Sequence, residues 1–491
     1  MTGVGAVGDH GPVSPTSASP IAQRQRVAVL GGGPGGYEAA LVAAQLGADV
    51  TVVERQGLGG STVLTDVVPS KTLIATAETM ATVGGASELG VRFPGGATDD
   101  TEPAGAVSVD LARVHQRVKS LALSQSADVR ARLEKEGVRI LSGDGCLDGP
   151  HALLVADGPD AGERVEADVV LVSTGSSPRT LPDAQPDGER ILTWKQVYDI
   201  EELPEHLIVV GSGVTGAEFA SAYDALGAHV TLVSSRDRVL PGEDADAAEV
   251  LEEVFRRRGM DVVGRSRAEK VERHGDSVTV TLSDGRTLEG SHCLVAVGAI
   301  PNTAGIGLEE AGVWTSESGH VDVDKVSRTS ARGVYAAGDC TGVFPLASVA
   351  AMQGRIAMWH ALGDTVSPLR LRTVSSTVFT SPEIATVGWT QKQIDSGEAQ
   401  GEIVKLPLAT NARAKMLGIH DGFVKLFCRS GSGTVIGGVV VAPRASELIF
   451  PLTLAVEKRL NVDDVAHAFT VYPSLTGSLA EAARQLHVTG E

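Results

Sequence analysis

The chain has 491 residues, 42% hydrophobic and 21% charged, an ordinary globular balance with length for three or four domains. A net charge of −19 disfavours a nucleic-acid or anionic-membrane partner, and no uncharged apolar run reaches the roughly 18 residues of a membrane span. The four cysteines, Cys146, Cys293, Cys340 and Cys428, lie far apart without metal-ligand spacing or a disulfide framework, so a reducing, cytoplasmic setting is expected.

Residues 1–25 are rich in Gly, Pro, Ser and Ala and lack the basic start and apolar block of a secretory signal; a disordered extension is expected there. Val27 to Leu30 predicts a strand, followed by the glycine turn Gly31-Gly32-Gly33-Pro34-Gly35-Gly36. A helix from Tyr37 to Leu46 follows, stopped at Gly47, and then a strand from Asp49 to Glu54. This is the layout of a dinucleotide-binding unit. Gly31, Gly33 and Gly36 let the backbone approach a pyrophosphate, the helix N-terminus supplies N–H donors, and Glu54 can accept hydrogen bonds from a ribose diol.

Residues 84–107 predict a surface loop, and 111–137 a charged helix. The first layout then returns: a strand at 207–210, the turn Gly211-Ser212-Gly213-Val214-Thr215-Gly216, a helix at 217–226, a stop at Gly227 and a strand at 229–233. Two dinucleotide modules are therefore expected. A later strand ends in Gly338-Asp339, ahead of a helix predicted over 347–360, and can set a carboxylate against a polyol. From about Thr373 the texture changes. Strands over 377–387, 422–428 and 435–441 and a helix over 445–459 predict a separate α+β domain. Cys340 reads as a small buried residue after a strand, and His467 as an ordinary helix or loop histidine.

The stretch Gly59-Gly60-Ser61-Thr62-Val63-Leu64-Thr65-Asp66-Val67-Val68-Pro69-Ser70-Lys71 resembles the redox segment of the pyridine-nucleotide disulfide oxidoreductases, the lipoamide dehydrogenase and glutathione reductase group. Further matches are Ser173 to Pro178, Val297 to Asn302 and Phe379 to Gly388, in the order that family shows, so the resemblance runs from about Arg26 to Leu486. It implies an α/β fold with two Rossmann-like domains and a C-terminal α+β dimerisation domain. Its expected parts are an FAD-binding domain at 26–182, an NAD(P)-binding domain at 183–300, a return to the FAD-binding or central domain at 301–372 and an interface domain at 373–491. It also implies FAD held by the first glycine turn, Glu54, Lys71, Gly145, Thr174, Gly175, Asp339 and Ala347. A nicotinamide dinucleotide is implied on Gly211, Gly213 and Gly216, with Gly298 a further cofactor contact. The assembly implied is a homodimer.

Three departures from the family pattern carry the functional reading. The family's two segment cysteines are replaced by Thr62 and Val67, which can form neither a disulfide nor a thiolate. The C-terminal catalytic His and its orienting Glu, which serve thiol chemistry, are replaced by Tyr472 and Gly477. In the second nucleotide unit the ribose-binding acid becomes Ser234, with Arg236 and Arg238 nearby, which removes repulsion against a 2′-phosphate and admits NADPH beside NADH. The family's flavin-side pair is kept as Lys71 and Glu218: a cation stabilising electron density entering the flavin, and a carboxylate balancing it. Lys71, Glu218 and Tyr472 are the catalytic candidates, and no metal site is expected.

Flavin reduction should survive and transfer through thiols should not. The reading favoured is an FAD-dependent NAD(P)H dehydrogenase giving electrons directly to quinones or similar small acceptors. A soluble transhydrogenase moving hydride between NADPH and NAD⁺, and a nucleotide-binding pseudoenzyme that engages a partner protein, are the alternatives. Fast flavin reoxidation by quinone, by NAD⁺ only, or by neither separates them.

Overall fold

The structure is a computed structural model that describes residues 24–91 and 107–487. The expected disordered extension falls, for residues 1–23, outside the described residues, as do 92–106 of the predicted surface loop and 488–491. The part of that predicted loop that begins at Gly84 is the last residue of a helix, Val67–Gly84, rather than loop.

Arg26–Leu30 and Asp49–Glu54 pair in parallel at the centre of a five-stranded sheet, flanked by Arg139–Ser142 on one side and by Val169–Val172 and Val334–Ala336 on the other. Strands buried on both faces read as near-continuous Val, Leu and Ala, and the helices Pro34–Gln45 and Ala347–Ala361 pack directly against each other. The second sheet repeats the plan: Asp261–Val263, His229–Val233, His206–Val210, His292–Val295 and Ile191–Leu192, all parallel. Each parallel sheet is accompanied by a three-stranded antiparallel one, at Asp144–Leu147, Ala152–Asp157 and Arg164–Glu166, and at Ala268–His274, Ser277–Leu282 and Thr287–Gly290. The chain crosses between the two units along a two-stranded antiparallel strap, Ser176–Pro178 against Ala299–Pro301.

The last domain is an antiparallel sheet in the order Ser375–Val378, Glu383–Gly388, Val435–Ala442, Phe423–Cys428, Glu402–Pro407. One face packs on the second nucleotide unit through Val378, Ile384, Phe423, Phe427, Val439 and Val441. The other is covered by helices Phe450–Lys458 and Gly477–Gln485. Two expected elements are divided here. The single strand over 377–387 is a hairpin, broken at Thr380-Ser381-Pro382, where proline has no N–H to offer a ladder. The helix over 445–459 is Ala445–Leu448 and Phe450–Lys458, restarted at Phe450-Pro451 with proline in the first turn. Among the described residues, no helix is long and apolar enough to cross a membrane.

Candidate flavin and nucleotide sites

The first glycine turn is built for close approach. Gly31 has φ +98°, and a Cβ there would strike the Ser173 carbonyl; one on Gly36 would strike the Gly31 carbonyl. The second turn repeats these contacts, Gly211 against the Ala296 carbonyl and Gly216 against Gly211. In both, the chain leaves a buried strand, turns on glycine and enters a helix whose first N–H groups are free for an anion.

A cleft runs along the C-terminal ends of the first sheet's strands. The structure brings Gly31, Gly33, Glu54, Gly145, Thr174, Gly175, Asp339 and Ala347 together on its walls. Gly36 lies just beneath, in the turn. The Glu54 carboxylate accepts from the Gly32 N–H at 2.6 Å and the Gln56 N–H at 2.7 Å, which fixes it at the strand end. Asp339 accepts from the Ser176 hydroxyl at 2.9 Å. The Thr174 hydroxyl, on the cleft wall, and the Trp194 indole N–H are buried with no partner among the described residues. Polar atoms left so are expected to meet a bound group. A glycine cradle facing a helix N-terminus, an acid at each end and orphaned donors fit a flavin dinucleotide.

Lys71 and Glu218 do not line the cleft; they meet beside it. Lys71 comes from the Val67–Gly84 helix and Glu218 from Val214–Leu226, one helix from each nucleotide unit, packed together. Lys71 Nζ donates to Glu218 Oε2 at 2.7 Å, with Glu218 6% exposed and Lys71 27%. Glu218 Oε1 accepts from the Phe379 N–H at 2.9 Å, and the Phe379 ring centroid lies 4.9 Å from Lys71 Nζ. The pair therefore ties the first unit, the second unit and the last domain at one point, and the carboxylate is satisfied on both oxygens.

Thr62 sits in the short helix Gly60–Leu64 and lines the cleft, while Val67 begins the next helix. Cys340 is buried, its thiol pushed up to about 11 by burial and donating to the Ala337 carbonyl at 3.3 Å, so it is packing rather than redox apparatus. All four cysteines are free.

Ser234 is fully buried, and this corrects its expected place in the second site. Its hydroxyl meets the Ser212 hydroxyl at 2.6 Å and accepts from the Arg236 N–H at 3.1 Å, so it locks the loop and leaves no atom for a ribose. Arg236, two residues on, is exposed. Gly298, at φ +100°, leads into the strap and accepts from the Arg179 N–H at 2.9 Å. Tyr472 is 86% exposed on the last domain and is not brought to the cleft of its own chain.

Sequence reasoning missed Asp66, Trp194, Lys195 and Asn302 as cleft residues. Asp66 and Asn302 sat inside quoted motifs and could have been flagged. Asn302 donates to the Thr174 carbonyl at 2.9 Å and accepts from Ser177 at 2.8 Å. Nothing in the spacing marks Trp194 or Lys195.

Residues 25–354 match the family model described as pyridine nucleotide-disulphide oxidoreductase, and 374–483 match that family's dimerisation domain. An NAD(P)H dehydrogenase (quinone) of Mycobacterium tuberculosis is 55% identical, covering 94% of each chain. A dihydrolipoyl dehydrogenase of Chlorobaculum tepidum is 34% identical, covering 95% of this chain and 98% of its own. The crystal structure of LpdA from Mycobacterium tuberculosis superposes with a TM-score of 0.89 at 54% identity, over 94% of this chain and all of that one. Agreement of both halves of the chain with one family, in sequence and in fold, leads to one conclusion: the chain belongs to the pyridine nucleotide-disulphide oxidoreductases, which work with FAD and NAD(P)H.

Proposed function

We propose that this protein is an NAD(P)H dehydrogenase that passes electrons from FAD directly to a quinone or a similar small acceptor, without a thiol relay. The carrying observation is a contrast within one segment: Lys71 keeps its 2.7 Å contact with Glu218, while Thr62 and Val67 hold the places of the dithiol. When bound, FAD accepts hydride and can give electrons singly or in pairs. Lys71 supports negative charge entering at the flavin edge, Glu218 holds Lys71 in place, and Glu54 and Asp339 hold the two ends of the dinucleotide. Arg236 favours NADPH without excluding NADH. The name of the 55% identical relative, NAD(P)H dehydrogenase (quinone), supports this choice of acceptor.

The dimerisation domain supports a homodimer. We assign the acceptor to the ground near Thr62 and Val67, with Tyr472 of the partner subunit facing it. The cytoplasm is the compartment this reading implies, in keeping with the four free cysteines.

The test is anaerobic double-mixing stopped flow. NADPH should bleach the flavin, and benzoquinone in the second push should restore it rapidly. Reoxidation by NAD⁺ alone would make the protein a transhydrogenase instead, and no bleaching would sink the catalytic reading.

A further inference from the structure

A quinone that becomes a hydroquinone takes two electrons and two protons. The family's proton-handling His is absent, Tyr472 standing in its place, so the second proton needs another source. Asp66 stands immediately before Val67, on the ground the dithiol would occupy, and lines the cleft with Thr62, Trp194, Lys195 and Asp339. It is the N-cap residue of the Val67–Gly84 helix, where an aspartate ordinarily accepts from the helix N–H groups. Here the side chain makes no capping bond, and no hydrogen bond or ion pair engages it among the described residues. A carboxyl that forgoes its cap to face a cofactor cleft is a local rule broken at a working site.

We propose that Asp66 is the general acid that protonates the acceptor oxygen as the acceptor is reduced beside the flavin, at the Thr62 and Val67 end of the cleft. The inference rests on the quinone reading above. NAD(P)H supplies, by way of the flavin, an electron pair and one proton. The Asp66 O–H bond breaks as the hydroquinone O–H bond forms, and the carboxylate regains its proton from solvent. Burial pushes the Asp66 carboxyl up to about 6. Lys71 opposes that rise, Glu218 and Asp339 add to it, and Lys195 opposes it. Tyr198 and Tyr223 are held neutral by burial and do not compete. A carboxyl so placed is a competent acid at mildly acidic to neutral pH.

The experiment uses FAD-loaded wild type, Asp66→Asn and Asp66→Glu, reduced anaerobically with NADPH. Each is reoxidised by benzoquinone, which needs protons, or by ferricyanide, which takes electrons alone. In wild type the benzoquinone-to-ferricyanide rate ratio should fall as pH rises through about 6. In Asp66→Asn that ratio should be lower by roughly 10²-fold and flat with pH, and Asp66→Glu should restore the pH dependence. A second readout needs no turnover: the infrared difference between oxidised wild-type and Asp66→Asn holoenzymes should show a carboxylic-acid band titrating near 6, a difference that cancels Asp224, which burial also pushes up to about 6. An Asp66→Asn protein with the wild-type ratio and profile, or with no difference band near 6 from wild type, overturns the assignment while leaving the quinone reading intact. A wild type that ferricyanide reoxidises and benzoquinone does not overturns both, beginning with the quinone reading.

Discussion

Lys71 is where three segments of the chain meet, and its removal has a defined consequence. Lys71→Met leaves the Glu218 carboxylate almost wholly buried with only the Phe379 N–H to answer it. On the proposed reading it also withdraws the cation that supports electron density entering the flavin. We expect the NADPH bleaching rate to fall by roughly 10²-fold, in the range set by loss of one preorganised electrostatic partner. Glu218→Gln should cost less, because an amide oxygen still accepts from Lys71 or Phe379. Stopped-flow bleaching of the two variants checks the order; equal rates in Lys71→Met and wild type would remove Lys71 from the mechanism. This pair was legible in the sequence only because each residue falls in a family motif, 147 positions apart. Ser234 was legible as a missing acid but not as a buried lock, since burial depends on how the loop back from Arg236 closes over it. Asp66 was in plain view inside the redox segment, but an unused N-cap leaves no trace in spacing.

Helices and strands with strong local punctuation could be read directly. Asp49–Glu54 and His229–Val233 have the ends expected of them, since each lies between a glycine stop and a turn. Where tertiary pairing decides, the sequence was silent: the 377–387 run reads as one strand until it is seen that its halves pair with each other. The same blindness covers Lys425. In the alternating text of the Phe423–Cys428 strand it looks like a solvent-side residue, yet it is 1% exposed. Its ammonium donates to Asp244 at 2.8 Å and to Gln391 at 2.7 Å, and Asp246 lies at 2.8 Å. Asp244 caps the helix Ala245–Arg257 of the second nucleotide unit, so this buried cluster docks that unit to the last sheet. Lys425→Ala leaves the buried Asp244 carboxylate without its cation, while Asp246 keeps Lys405 at 3.0 Å, and should cost roughly 3–5 kcal/mol, the usual penalty for breaking a buried pair. Denaturant unfolding followed by tryptophan fluorescence checks this; an unchanged midpoint would mean water reaches the junction.

At the scale of the molecule, two dinucleotide units are fused by the Ser176–Pro178 and Ala299–Pro301 strap and clamped by a third domain. That third domain exposes Phe450, Leu454, Phe469, Val471 and Tyr472, and it is the part that matches the family's dimerisation domain. That the dimerisation domain follows the nucleotide-binding part could be read from motif order along the chain. The place of Tyr472 could not: it stands 86% exposed on this domain, away from the cleft of its own chain. This chain keeps the family's architecture with Thr62 and Val67 where the family pattern has its two segment cysteines. It should therefore store electrons on the flavin alone. The measurement is an anaerobic reductive titration of the holoenzyme with dithionite, followed by flavin absorbance. Complete bleaching is expected at one two-electron equivalent per FAD, with no long-wavelength thiolate–flavin band. Uptake of a second two-electron equivalent, or appearance of that band, would mean that a thiol pair works beside the flavin after all, and would contradict direct transfer.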